Sequence, residues 1–362
     1  MDQPEHQAVR QARDGAVLQL IIDQPPVNAL GYAVRAGLAA GIAAAEADSA
    51  VAAVVIRAAG RTFPAGADIA EFGRPARAPL LPDLCNLIEA CSKPVVAAVH
   101  GTALGGGLEL ALAAHYRVAL ADASVGLPEV GLGILPGAGG TQRVPRLIGA
   151  EQALRLMLTG RPIGAAEALA LGLLDRVVEA GLPEAALAAA QVLIGRVPVP
   201  TRDRREGMRD PVAYQTAVAA ARLAQRGQRL PGPMRIVDCV EAAQLLPFDQ
   251  GLGFERSAFL DLVATPEAAG LRHAFFAERA VARIPEASAT PRVVRNVGVI
   301  GGVGAEVILP LLQAGYGVTV VQDTRAKLVA VLEAVAAMLQ EAVAAGRLAA
   351  AVRDADWARL VP

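Results

Sequence analysis

Two glutamates in this sequence have the surroundings that acid/base chemistry requires. Glu109 follows three consecutive glycines and stands between two leucines, at the start of an apolar segment that favours a helix. Glu129 lies in the segment 125–131 (VGLPEVG), again among apolar neighbours. A carboxyl group buried without a partner tends to have a raised pKa, and two carboxyls in different environments can divide the roles of acid and base. A helical glutamate is more often only a solvated residue, and spacing alone does not bring the two together.

The glycines before Glu109, Gly105 to Gly107, predict a site for a carbonyl oxygen. The first N–H groups of a helix have no partner within the helix and carry a partial positive charge, which suits an oxygen that becomes negative as an enolate forms. A side chain at Gly106 would keep a substrate away from the backbone. Three glycines are equally typical of a plain turn, and the run lacks the Lys-Ser/Thr ending of a phosphate-binding P-loop.

The segments around these glutamates alternate in a way that predicts an α/β fold. Short apolar, β-branched runs are separated by alanine- and leucine-rich segments, which favours parallel strands joined by helices. The predicted strands are Val17–Ile22, 51–56 and Val95–Val99, and the predicted helices are 36–47 and 80–91. Ten glycines crowd between Val99 and Thr141, which indicates loops that approach a ligand closely. Beyond them, 197–209 reads as an exposed connection, 211–283 as helical, 285–291 as a break and 293–300 as a further strand.

Composition limits the classes of function. The chain has 362 residues, 54% of them apolar, and 34 basic against 35 acidic residues give a net charge of −1, so no global field attracts nucleic acid. The longest stretch without a charged residue, 307–322, is interrupted by proline and glycines, so no membrane span is expected. Residues 1–5 do not resemble a secretory signal, and we expect a cytoplasmic enzyme. The three cysteines have neither disulfide nor zinc-site spacing, so no metal is expected and they are predicted to be core residues.

Four motifs, in the same order, resemble the enoyl-CoA hydratase (crotonase) family. They are 63–69 (FPAGADI), 105–109 (GGGLE), 126–129 (GLPE) and 135–143 (LPGAGGTQR), and the resemblance covers roughly residues 10 to 195. It implies a spiral of β-β-α turns that binds an acyl-CoA. It also implies that hydration needs no cofactor beyond the coenzyme A of the substrate.

The resemblance also implies roles for single residues. Ala67 and Gly106 would donate the two N–H groups of an oxyanion hole, while Glu109 and Glu129 would hold the water that adds to the alkene. The coenzyme A site would be lined by Val27, Asn28, Ala29, Ala65, Asp68, Ile69 and Gly105. Acyl chain length would depend partly on residues 69–87. Because both carboxylates are present, hydration of a 2-enoyl-CoA is favoured, with isomerisation of a 3-enoyl-CoA as an added activity. An isomerase alone and a non-catalytic acyl-CoA-binding subunit remain the alternatives.

Three other polar residues are given no catalytic role. His100 and His115 have no carboxylate or serine in a triad order, so hydrogen-bonded structural histidines are expected. Arg143, at the end of the last motif, is either a surface residue or a loop anchor.

The carboxyl-terminal half resembles the multifunctional β-oxidation enzymes, in which a hydratase is fused to a 3-hydroxyacyl-CoA dehydrogenase. The segments 246–249, 253–256 and 271–279 are similar to their linker, and 297–306 (VGVIGGVGAE) is similar to the start of their NAD-binding fold, with Asp323 at the expected distance. We therefore predict a hydratase domain at 1–195, a helical linker packed on it at 196–290, and a partial NAD-binding βαβ unit at 291–362.

NAD binding by that partial unit is doubtful. Read from Gly302, the glycine fingerprint has Val307 in its third position, and read from Gly301 it has Val303 and Glu306 in its second and third positions. The chain is also expected to end before a third strand, as a remnant or a truncated dehydrogenase. Whether it forms a homo-oligomer is left open.

Overall fold

The computed structural model describes residues 7–71, 75–281 and 292–362. The predicted features at residues 1–5 and 285–291, together with the predicted 290/291 boundary, lie outside these ranges. The chain divides into two compact units, the first ending at Val281 and the second following it. The first unit therefore contains both the predicted hydratase domain and the helices of the predicted linker.

The elements of the first unit follow the predicted alternation. Its strands are β1 (Val9–Asp14), β2 (Val17–Ile22), β3 (Ala53–Ala58), β4 (Val95–Val99), β5 (Thr102–Leu104), β6 (Tyr116–Leu120), β7 (Ser124–Gly126), β8 (Ile163–Gly164) and β9 (Arg176–Val178). Its helices are α1 (Tyr32–Ala47), α2 (Leu81–Glu89), α3 (Gly106–Ala113), α4 (Gly140–Thr159), α5 (Ala165–Leu171), α6 (Leu182–Leu193), α7 (Pro211–Ala224), α8 (Gly232–Leu245), α9 (Phe248–Val263) and α10 (Pro266–Val281). Short 3₁₀ helices lie at Ile69–Glu71, Glu129–Leu132, Thr201–Asp203 and Glu206–Met208.

The strands form a large and a small sheet. The large sheet has the order β1-β2-β3-β4-β6-β9, with β1 antiparallel to β2 and the other neighbours parallel. The small sheet has the order β5-β7-β8. From β4 to β7 the strands alternate between the two sheets, since β4 and β6 belong to the large sheet while β5 and β7, which follow them, belong to the small one. Because β5 and β7 are parallel neighbours, the glycine-containing segments that follow them lie beside one another.

Apolar side chains cover both faces of the large sheet, as expected for a parallel sheet. All six residues of β2 are buried. One face packs in the main core with α1, α2 and α3, and the other packs against α6 through Val55, Val96 and Ala186. The three cysteines are buried and free, as predicted.

Helices α7, α8 and α9 pack against α4, and α10 packs against the 3₁₀ helix Glu129–Leu132. The segment 197–209, which leads to them, is exposed only in part: Val197 and Val199 are exposed, as its composition predicts, but two later residues are held by the first unit. Thr201 is buried and donates its hydroxyl hydrogen to Leu112 O over 2.7 Å, while Arg202 forms an ion pair with the buried Glu89. Proline and arginine are frequent in surface loops, but here a buried carboxylate fixes one of the arginines.

The second unit is a parallel sheet with helices. It consists of β10 (Asn296–Ile300), α11 (Ala305–Gln313), β11 (Gly317–Val321), α12 (Arg325–Ala344), α13 (Ala350–Trp357) and β12 (Leu360–Val361), with strand order β10-β11-β12. A small core of its own includes Ile308, Leu312 and Val320. The expectation that the chain ends before a third strand is wrong, because β12 pairs with β11. At two residues, β12 is too short to give a periodic signal.

Candidate active site

A cavity of about 410 Å³ in the first unit contains the predicted catalytic residues. Ala67 reaches it from the loop after β3, Gly106 and Glu109 from the start of α3, and Glu129 from the 3₁₀ helix after β7. Most of the remaining wall is apolar, including Leu81, Leu132 and Leu135. The fold therefore brings together four residues that are spread over more than sixty positions of the sequence.

Glu109 lies in the first turn of α3 and is buried. Its Oε1 accepts hydrogen bonds from the N–H groups of Ala138, over 2.7 Å, and Gly140, over 2.8 Å. Burial raises the pKa of Glu109, and the two N–H groups together with the charge of Arg143 oppose part of this rise. The result is a carboxyl that is held in one orientation and whose pKa lies above the ordinary value.

Glu129 is the first residue of its 3₁₀ helix and is also buried. Its Oε2 makes no hydrogen bond with any residue that the structure describes. Burial, followed by the charges of Glu109 and Glu255, raises the pKa of Glu129 well above the ordinary value of 4.5. Because an unpaired buried polar atom is costly, this oxygen is suited to a partner that arrives with the substrate.

Ala67 and Gly106 present backbone N–H groups to the cavity. Gly106 is the first residue of α3, where the N–H has no partner within the helix. The N–H of Ala67 donates no hydrogen bond in the described part of the chain. A Cβ built on Gly106 would lie 3.2 Å from Ala67 N, so the two backbones are close neighbours. Two neighbouring N–H groups without a partner are candidates for the donors of an oxyanion hole.

The predicted coenzyme A residues divide between two cavities. Ala65, Asp68, Ile69 and Gly105 line the main cavity, whereas Val27 and Ala29 line a second one, which Asp68 also lines. Asn28 has a different use: its side-chain amide donates to Ala59 O and Thr62 O over 2.8 and 2.7 Å, and its backbone has a left-handed φ of 53°. Asn28 thus holds the loop that carries its two neighbours.

The sequence predicts helix α9 only as part of a linker packed on the hydratase domain, yet this helix also contributes to the cavity. Arg256, Phe259 and Val263 line the cavity wall, and Glu255 is buried next to the segment that holds Glu109. A signal was available, because the buried residues of α9 are Gly251, Glu255, Ala258 and Leu262, which share one face of a helix. A glutamate on such a face indicates a buried carboxyl.

The residues without a predicted catalytic role are structural. His115 is buried between Val95 N and Glu89 O, and His100 lies 3.1 Å from Gly60 O. Arg143 is a loop anchor, not a surface residue: it is fully buried, pairs with Glu89 over 2.7 Å and donates to Ala138 O over 3.0 Å. Among the described residues no cluster of side chains could hold a metal ion, and none of their helices combines the length and the apolar character that a bilayer span requires.

Comparisons with known proteins show which family the chain is similar to. The family model described as enoyl-CoA hydratase/isomerase matches residues 12–228. The chain is 40% identical over 323 residues to the peroxisomal bifunctional enzyme of Danio rerio, covering 86% of this chain and 44% of that protein. It is 34% identical over 354 residues to the peroxisomal fatty acid beta-oxidation multifunctional protein MFP2 of Arabidopsis thaliana, covering 92% and 49%. The crystal structure of carnitinyl-CoA hydratase from Mycobacterium avium matches with a TM-score of 0.55 and 33% identity, covering 75% of this chain and 97% of that one.

These relatives correct one expectation. The cytoplasmic location that we inferred from the amino terminus is wrong, because the names of the matched relatives are those of peroxisomal enzymes. The sequence contains no feature at residues 1–5 from which this could have been inferred. The chain spans less than half the length of the two curated relatives described above.

Proposed function

We propose that this chain, which belongs to the enoyl-CoA hydratase/isomerase family, adds water across the 2,3 double bond of a 2-enoyl-CoA in fatty-acid β-oxidation. One observation carries the proposal: two buried carboxyls, Glu109 and Glu129, line the same cavity as the N–H groups of Ala67 and Gly106. Hydration of an enoyl thioester needs both features. The N–H pair stabilises the enolate oxygen, and the carboxyl pair transfers the two protons.

The environments of the two carboxyls assign their roles. Glu109 accepts two backbone N–H groups, which favour its ionised form, so it acts as the base. Glu129, whose pKa is raised further by the charge of Glu109, acts as the acid. The oxygen of water bonds to C3 while its proton passes to the Glu109 carboxylate. The protonated Glu129 gives its proton to C2, and the pair then exchanges protons with solvent to restore the starting state.

The two cavities are suited to different parts of the substrate. The acyl group extends along the apolar wall that includes Leu132, Phe259 and Val263. The coenzyme A portion lies along the loops of Val27 and Asp68, and its thioester oxygen lies between the N–H groups of the oxyanion hole. Acyl chain length is then limited by side chains from α9 as well as by residues 69–87.

Glutamine variants test the acid/base pair. We expect Glu109→Gln and Glu129→Gln each to lose most hydration of a short 2-enoyl-CoA, because an amide neither accepts nor donates the required proton. Hydration is followed by the loss of ultraviolet absorbance of the conjugated thioester. Glu167→Gln, an exposed glutamate of α5 paired with Arg155, is the matched control and keeps parental activity. Near-normal turnover by either cavity variant would contradict the proposal.

Two alternatives are separated by the same assays. The unpartnered Oε2 of Glu129 is an observation that favours proton transfer between C2 and C4 of a 3-enoyl-CoA, which is the isomerase reaction. Conversion of 3-enoyl-CoA by a chain that leaves 2-enoyl-CoA unchanged indicates an isomerase alone. Saturable acyl-CoA binding without turnover of either substrate indicates a non-catalytic binding subunit.

For the rest of the chain we propose that 196–290 acts as a linker and that 291–362 is a partial dehydrogenase-like segment without tight NAD binding. In this segment the residues do not fit the dinucleotide. The Glu306 carboxylate lies against Gly304, at the start of α11, where a pyrophosphate would need backbone N–H groups and no negative charge. Isothermal calorimetry with NAD should detect no binding in the micromolar range, and tight binding would contradict this assignment.

A further inference from the structure

The turn between Pro136 and α4 is held by two carboxyls that take alternate N–H groups. Ala138 and Gly140 donate to Glu109 Oε1. Gly139 donates to Glu255 Oε1 over 2.6 Å, and Thr141 donates to Glu255 Oε2 through its N–H, over 3.0 Å, and through its hydroxyl, over 2.5 Å. Four consecutive residues at the start of one helix are therefore shared between a carboxyl of α3 and a carboxyl of α9.

This arrangement leaves little freedom to the donors of Glu109. Gly139 has a left-handed φ of 96° and is the residue that precedes the helix. Its own N–H points to Glu255, while the N–H groups of its two neighbours, Ala138 and Gly140, point to Glu109. A displacement of Gly139 or Thr141 would also displace Gly140, which lies between them. Glu255 is only 1% exposed, and both of its oxygens are occupied by this turn.

The titratable groups that interact with Glu255 lie on five neighbouring elements. They are Glu109 of α3, Glu129 of the 3₁₀ helix, Arg143 of α4, Cys239 of α8 and Cys85 of α2. Burial, and then the charge of Glu109, raises the pKa of Glu255 to about 8, while its hydrogen bonds to Thr141 and Gly139 and the charge of Arg143 oppose the rise. The charge of any one of these three buried carboxyls therefore disfavours ionisation of the others.

We propose that Glu255 is a positioning residue for hydration: by accepting hydrogen bonds from Gly139 and Thr141, it fixes the turn whose other N–H groups orient the Glu109 carboxylate. This role rests on the proposed hydratase function. It does not require Glu255 to touch the substrate. It assigns to α9 a part in the reaction in addition to its place in the cavity wall.

Replacement of Glu255 by glutamine keeps the shape and removes one acceptor, because the amide NH₂ cannot accept from Thr141 N–H. We expect kcat for hydration by the full chain to fall about 10-fold or more, since small displacements of catalytic groups are costly in rate. KM should stay near the parental value, because the predicted coenzyme A contacts come from other loops. The matched control on the same helix is Asp261→Asn, at an exposed residue outside the cavity, which should keep the parental kcat.

The pH profile of kcat separates positioning from a merely structural role. The charge of Glu255 raises the pKa of Glu129, whose protonated form is the acid. Removing the charge of Glu255 should therefore lower the pKa of Glu129 and move the alkaline limb of the profile to lower pH. Glu255→Asp, which keeps the charge but shortens the side chain by one methylene, should hold that limb near its parental position and recover part of kcat.

The outcomes distinguish this proposal from the one it rests on. If the parent hydrates 2-enoyl-CoA and Glu255→Gln matches it, or loses kcat without a shift of the alkaline limb, the positioning role is refuted and the hydratase function stands. If the parent hydrates no enoyl-CoA, the function itself fails. Should thermal unfolding show that Glu255→Gln does not fold, Glu255→Asp decides: reduced kcat at parental KM supports the role, and parental kcat refutes it.

Discussion

Alanine in place of Gly106 would put a methyl group between the two backbone donors of the cavity. The new Cβ would lie 3.2 Å from Ala67 N, close to the distance at which a carbonyl oxygen accepts a hydrogen bond from that nitrogen. It would also lie 2.6 Å from a terminal methyl of Leu81, a flexible side chain that can rotate away. The thioester oxygen is therefore displaced from Ala67 while the surrounding fold adjusts.

The size of the effect follows from the loss of one donor. Removing a single donor from an oxyanion hole costs about 10²- to 10³-fold in kcat, which is about 3–4 kcal/mol of transition-state stabilisation. We expect Gly106→Ala to show this loss in the hydration of a short 2-enoyl-CoA. The midpoint of thermal unfolding should change little, because the close contacts are with one mobile side chain and one backbone nitrogen.

A matched control is available in Gly164, which precedes α5. A Cβ at this position meets no atom within 4 Å, and the backbone φ of −73° suits any residue. Gly164→Ala should keep both activity and stability. If Gly106→Ala hydrates the substrate within about threefold of the parental rate, the oxyanion hole is not at this position and the reasoning is refuted.

Three further predictions concern titration, packing and charge. The pH profile of kcat/KM should be bell-shaped, because activity is lost on the acid side as Glu109 becomes protonated and on the alkaline side as Glu129 ionises. Burial raises the pKa of both carboxyls. An acid limb at or below pH 4.5 would therefore contradict the assignment. Gly107→Ala should lower the free energy of unfolding by about 1–3 kcal/mol, because its Cβ would overlap Pro64 O, a rigid backbone atom. A chemical denaturation curve that matches the parent would show that the loop moves to accommodate the methyl group. Glu89→Gln should destabilise the fold by about 3–5 kcal/mol, since it leaves the fully buried Arg143 without its counter-charge, and urea unfolding that matches the parent would refute this.

The sequence was informative wherever a local pattern determines the structure. Strands β2 and β4 have the predicted bounds, because each is a short run of apolar, β-branched residues that the sheet buries on both faces. Glu109 and Glu129 were chosen as candidates from their glycine-rich and apolar surroundings, and both are buried at one cavity. The first two residues of the predicted strand 51–56 lie outside β3, since Val51 is buried without joining the sheet.

Features that depend on tertiary contacts were not accessible in this way. Nothing near residue 138 indicates that its N–H will be taken by Glu109, or that the next N–H will be taken by Glu255, more than a hundred positions away. The same holds for Arg202, which composition places on the surface and a buried carboxylate draws inward. Long-range hydrogen bonds leave no periodic trace in the sequence.

The position of α9 has a consequence for recombination between relatives. Since Phe259 and Val263 line the cavity and Glu255 supports the turn before α4, a chimera joined at residue 195 would take its catalytic loops from one parent and part of its substrate wall from another. The acyl-group preference of the chimera would then depend on the parent that supplies residues 248–263 as much as on the parent that supplies the glutamates. Exchanging α9 while keeping the glutamate at position 255 and the contacts of the helix with α4 and α8 would test whether the cavity wall sets the preference for acyl chain length.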